Sequence, residues 1–174
     1  MDAATGVVLW ELGEPSKHVH GTGLSADLDP SYPGVECYGR DVDSGKQWLL
    51  SAQGDLLSTA DLGGTTVIAA YWDSDTQREI LRDGRLTNFA SGRQYEPQVD
   101  GQPLLIADIL GDWREEIITG LPGELRIYTT TLPASDRRIC LLRDPIYRID
   151  VCEVSSGYYN VPQFQVLPGG EGRG

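Results

Sequence analysis

Cysteine, histidine and methionine are scarce in this 174-residue chain, and so is positive charge. There are 14 Lys and Arg against 26 Asp and Glu, a formal net charge of −12. That imbalance excludes nucleic acid as a partner, because phosphate contacts need a basic surface. It excludes an anionic membrane surface for the same reason. A protein this acidic that handles an acidic polymer needs local cations, supplied by Arg side chains or a bound metal. The three cysteines, Cys37, Cys140 and Cys152, lack the C-x-x-C spacing of zinc sites. They read as free, buried cysteines in strands, with one disulfide plus one free thiol as the alternative. The two histidines form the pair His18-Val19-His20; without a third ligand it reads as solvent-facing. No apolar run approaches the ~18 residues of a membrane span. Met1 to Gly6 offers neither a basic region nor an apolar core, so no signal peptide is expected there. The chain is then either cytosolic or an internal piece of a longer secreted one. No P-loop, no G-x-G-x-x-G unit and no Ser-His-Asp order occurs.

What the chain has in quantity is turns: 21 Gly and 10 Pro. They fall at Asp43-Ser44-Gly45, Gln53-Gly54-Asp55, Leu62-Gly63-Gly64, Asp83-Gly84 and Leu121-Pro122-Gly123. Between them lie strand-like runs at residues 6–12, 35–39, 47–50 and 65–72. Residues 124–131 alternate with period two, and runs at 139–142 and 147–151 follow. No amphipathic helix stands out. Strands about ten residues apart with turns between them predict an antiparallel all-β fold. Four short strands with their turns occupy about 40 to 45 residues, one blade of a β-propeller. Residues 1–166 are therefore expected to form a partial propeller of about four blades, part of a larger one, since an open arc leaves exposed sheet edges. Residues 167–174, rich in Gly, read as a disordered tail.

An acidic pattern occurs three times: Asp27, Asp29 and Glu36; Asp73, Asp75 and Glu79; Asp108, Asp112 and Glu116. Each set opens with an Asp after an apolar residue and closes with a Glu before a new apolar run. Carboxylates at such spacing in turns suit calcium, which takes six to eight oxygen ligands. None matches the EF-hand loop. The competing role for each acid is an Asx turn, capping backbone N–H groups. The set at Asp108, Asp112 and Glu116 carries the strongest expectation of an ion. Arg137, Arg138, Arg143 and Arg148 put positive charge in an acidic chain and could clamp a sugar acid. Trp10, Trp48, Trp72 and Trp113 read as core anchors rather than sugar platforms.

Several of these stretches together resemble polysaccharide lyase family 11, the rhamnogalacturonan lyases. They are residues 23–36, residues 71–79 and Ala107-Asp108-Ile109-Leu110-Gly111-Asp112-Trp113-Arg114-Glu115-Glu116. Residues 125–131, Asp144-Pro145-Ile146-Tyr147-Arg148 and Tyr159-Asn160-Val161-Pro162 follow in the family's order. The resemblance implies the C-terminal half of an eight-bladed propeller with many calcium ions, secreted as part of its parent. It implies calcium-assisted β-elimination in rhamnogalacturonan I or a similar acidic polysaccharide, in a cleft that also needs N-terminal blades. Arg93 and Tyr159 are the candidates for the base, and Asn160, Arg143 and Arg148 for substrate contacts. Two departures stand out. The family's Asn-Gly-Thr-Lys segment is replaced by Ser91-Gly92-Arg93-Gln94, and Arg143 stands where the family has a histidine. The rival reading is a non-catalytic calcium-stabilised propeller that binds carbohydrate or protein.

Overall fold

A computed structural model describes residues 1–2, 4–19, 23–64, 67–134 and 137–157. Within them the chain forms three antiparallel sheets, each a meander in sequence order. The first contains β1 (Leu24–Ala26), β2 (Glu36–Arg40), β3 (Gln47–Leu50) and β4 (Leu56–Ser58). The second contains β5 (Ile68–Ala70), β6 (Glu79–Arg82), β7 (Arg85–Thr87) and β8 (Gln94–Tyr95). The third has β9 (Gln102–Ala107), β10 (Glu116–Leu121) and β11 (Glu124–Tyr128). The all-β expectation holds for these sheets. No helix among the described residues is long and apolar enough to cross a membrane.

The sheets stack face to face, and the sequence shows why the middle one is central. The run Val67 to Trp72 is apolar without alternation, and Val67, Ala69, Ala70, Tyr71 and Trp72 are all buried. A strand covered on both faces reads as a continuous apolar run. Ala69 joins the cluster of Leu24, Tyr38, Leu49 and Ile80 against the first sheet. Ala70 joins that of Leu81, Leu86, Tyr95 and Ile117 against the third. The alternation in β11 is real, but its apolar side faces outward. Leu125 and Ile127 are 62% and 55% exposed, while Tyr128 packs against the cluster between the second and third sheets. Asp83-Gly84 makes the tight β6–β7 hairpin with both residues at positive φ, 50° and 73°. Twisted two-residue hairpins favour that geometry, and a Cβ on Gly84 would sit 2.4 Å from the Val99 carbonyl.

Three expected strands take other forms. Residues 6–12 enter no named strand. Trp10 in this segment packs against Gly54, and its Nε1 donates to the Ala52 carbonyl at 3.0 Å. Residues 139–142 lead into a 3₁₀ turn, Leu141–Arg143, and residues 147–151 lie in α1 (Pro145–Ser155). The signal overlooked was Asp144-Pro145. The Asp144 side chain accepts from the Ile146 and Tyr147 N–H groups at 2.7 and 3.1 Å, and Pro at the first helical position has no N–H to lose. Period-two alternation over five residues was too short to outweigh this cap. The stretch expected to continue the strands is therefore a helix packed on the third sheet's turn. Asp144→Ala is expected to destabilise the chain by about 1 kcal/mol, measured by urea denaturation, with earlier proteolysis near α1. The three cysteines are free as expected, but none is buried and only Cys37 lies in a strand: Cys140 precedes the 3₁₀ turn and Cys152 is exposed on α1, because the cap at Asp144 turns that stretch into a helix. The tail at 167–174 lies outside the described residues.

Candidate functional site

The three acidic turns share one frame. In each, the last alanine of one strand pairs with the closing glutamate of the next: Ala26 with Glu36, Ala70 with Glu79, Ala107 with Glu116. The glutamate then folds back over the turn. Glu36 Oε2 accepts from the Leu28 and Asp29 N–H groups at 2.7 and 3.2 Å. Glu79 Oε2 accepts from Trp72 N–H at 3.0 Å. Glu116 Oε2 accepts from Ile109 and Leu110 N–H at 3.0 and 3.1 Å. The closing Glu is thus a brace for its own turn in all three. Aligned on these alanines, the residue matching Asp27 and Asp108 is Tyr71, so Asp73 sits two positions further along its turn than sequence spacing implied.

That offset separates the turns chemically. In the third, Asp108 is fully buried and given over to backbone donors. Its Oδ1 accepts from Gly111 N–H at 2.7 Å, and its Oδ2 from Trp113 and Leu141 N–H at 3.1 and 2.8 Å. Asp112 pairs with Arg114, and Glu116 Oε1 accepts from Thr129 Oγ1 at 3.0 Å. The set expected to be the strongest metal site thus braces its own turn and carries one ion pair. In the second turn, Asp73, Asp75 and Glu79 offer carboxylate oxygens within 4.8 Å of one another, the one such cluster among the described residues. Asp27 of the first turn is tied to it, since Gln77 Nε2 donates to its Oδ2 at 3.2 Å. Asp29 braces its own turn by accepting from Ser31 N–H at 2.9 Å.

The electrostatics of the second turn follow from burial. Glu79 is fully buried, and burial followed by the nearby Asp73 charge pushes its pKa up to about 8. Tyr95 closes one side, its OH donating to Asp73 Oδ2 at 2.6 Å. Burial and that bond hold the phenol well above its usual range. The Arg93 guanidinium lies 4.8 Å from the centre of the Tyr95 ring. Sequence spacing alone did not reveal Tyr95, but its position opposite Leu86 on the next strand brings it across the sheet to Asp73.

The remaining sequence candidates scatter. Arg148 Nη1 donates to the Leu142 and Arg143 carbonyls at 2.9 and 3.1 Å, tying α1 to the 3₁₀ turn. Arg143 is exposed. Tyr159, Asn160 and His20 lie outside the described residues, and His18 Nδ1 sits 3.2 Å from Asp43 Oδ1. Sequence reasoning missed a buried network between the second and third turns. Glu115 Oε2 accepts from Tyr71 N–H at 2.9 Å, and its Oε1 from Arg78 Nη2 at 2.8 Å and Tyr147 OH at 2.7 Å. The adjacent acids Glu115-Glu116 were the available signal: on a strand they point to opposite faces, so they cannot share one site.

The model of the rhamnogalacturonan lyase family 11 C-terminal domain matches residues 1–172. The chain belongs to that family. It is 35% identical over 175 residues to the rhamnogalacturonan endolyase YesW of Bacillus subtilis (strain 168), covering 92% of this chain and 27% of YesW. It is 31% identical to the rhamnogalacturonan exolyase YesX of the same organism, covering 92% of this chain and 30% of YesX. Among solved structures, the YesW crystal structure superposes with a TM-score of 0.70 at 33% identity, over 98% of this chain and 30% of that one. A Bacillus licheniformis rhamnogalacturonan lyase matches at 0.70 and 32% identity over the same shares. The chain thus spans under a third of the length of these relatives.

Proposed function

We propose that this chain is a stack of propeller blades within a longer rhamnogalacturonan lyase, and that its second turn holds a calcium ion beside the uronate-binding cleft. The observation that carries this reading is the Asp73, Asp75 and Glu79 cluster with Arg93 and Tyr95 against it. Among the described residues no Lys, Arg or His forms an ion pair with the three acids. Hard oxygen donors with uncompensated charge fit calcium. Glu36 supports a similar role for the first turn, since its Oε1 is buried with no hydrogen-bond partner. Successive face-packed meanders support the propeller. So does the apolar outer face of the third sheet at Leu104, Leu125 and Ile127, which a further sheet of a longer polypeptide would cover.

In this reading a bound calcium ion would supply positive charge that helps neutralise a galacturonate carboxylate. Arg93, exposed and stacked on Tyr95, pairs with the same carboxylate. Tyr95 keeps Asp73 fixed and water away from the ring side of the site. Neutralising the carboxylate acidifies the α-proton; with Arg93 engaged as the cation, a base at Tyr159 removes the proton as the glycosidic oxygen leaves, forming the unsaturated uronate. The acidic-polysaccharide substrate, the missing blades and secretion of the parent belong to the same proposal. Elimination needs its groups held within about an ångström, and the longer relatives have over twice as much additional chain to hold them. This chain alone is therefore expected to bind calcium but not to cleave rhamnogalacturonan I, followed by the ultraviolet absorbance of the unsaturated product. A steady calcium-dependent rise that Arg93→Ala abolishes would make it a compact lyase instead.

A further inference from the structure

Beside the third turn, a cavity of about 360 Å³ is lined by Trp113, Arg114, Arg137 and Arg138 with Gly111 and Asp112. Three arginines in one recess are notable in a chain of net charge −12, and the recess has the size of a small-ligand site. We propose that it is a carboxylate subsite for one uronate unit of an acidic oligosaccharide, separate from the second-turn cluster. The proposal rests on the acidic-polysaccharide reading above but not on its calcium ion.

The arginines have different duties. Arg114 pairs with Asp112, the one acid among the described lining residues, and donates to the Leu132 carbonyl, fixing the wall of the recess. Arg138 lies over Trp113, its guanidinium 4.8 Å from the ring centre. Trp113 is itself clamped: its N–H bonds Asp108, its ring meets Tyr71 edge-on, and its backbone sits at φ 72°. A non-glycine residue holds such a φ only where its surroundings over-determine it. The platform beneath Arg138 is therefore rigid. Arg137 is exposed and makes no hydrogen bond or ion pair among the described residues. Its planar fork suits a carboxylate in bidentate fashion, which a neutral sugar cannot reciprocate.

The test is calorimetric titration of the full chain with tetragalacturonate, and with galactotetraose as the uncharged control, in chelator. Wild type should bind the acidic tetramer and not the neutral one. Arg137→Ala should weaken it about tenfold, the scale of one charge-assisted hydrogen-bond pair, while Lys46→Ala, which removes an exposed cation paired with Glu14 beside the first sheet, should leave it unchanged. Equal affinity in Arg137→Ala, equal binding of the neutral tetramer, no binding by wild type, or an equal loss in Lys46→Ala would each overturn the subsite. Because chelator is present throughout, failure of calcium to bind the second turn would leave this result standing.

Discussion

Glu115→Ala is expected to lower folding stability by about 3 to 5 kcal/mol, the range for removing one partner of a buried ion pair. Arg78 and Glu115 are each 1% exposed and meet at 2.8 Å. Burial alone pulls the Arg78 guanidinium down. The Glu115 carboxylate, followed by Tyr71 and Tyr147, more than reverses this, so the group is held above its usual value. The truncation would leave that charge buried without its carboxylate and would release Tyr147 OH and Tyr71 N–H as well. It would also loosen the joint between the second and third turns, where Glu115 N–H donates to the Tyr71 carbonyl at 3.0 Å. Urea denaturation measures the loss. The double variant Arg78→Met with Glu115→Leu should be less destabilised than the sum of its single variants, because no unpaired charge remains. A loss under about 1 kcal/mol, typical of an exposed pair, would show that the network is peripheral.

How much of this was legible in the sequence differs by layer. The sheets were, because Gly-rich turns and β-branched runs are local signals: Asp83-Gly84 and the run from Val67 to Trp72 each carry their own meaning. The helix was not, because Tyr147 to Val151 alternates by chance and its deciding signal is a cap outside that run. The acidic repeat was legible as a repeat, but the hydrogen-bond partners of its acids were not. Whether an Asp holds an ion or a backbone N–H depends on which donors the fold brings near it. Asp108 meets Leu141 N–H from 33 residues away, and no turn-level pattern encodes that. Arg93 was singled out by its place in a family segment, but its link to the cluster runs through Tyr95, a cross-strand contact.

The most direct test is the thermal midpoint of the chain in calcium and in chelator, at about pH 5 and about pH 8, which span most of the interval between the ordinary and the raised Glu79 pKa. The Glu79 pKa is raised from 4.5 to about 8. Without a cation the folded state keeps a proton there that the unfolded chain releases. That contribution is complete below about pH 4.5 and is lost as pH rises through about 8. The chelated chain should therefore lose stability on going from the lower to the higher pH, by up to about 4 kcal/mol. Calcium binds the ionised carboxylates, so its stabilisation should widen over the same interval, and Glu79→Gln should erase most of both effects. A midpoint that does not respond to calcium at either pH, or a calcium response that survives unchanged in Glu79→Gln, would contradict the cation site at the second turn.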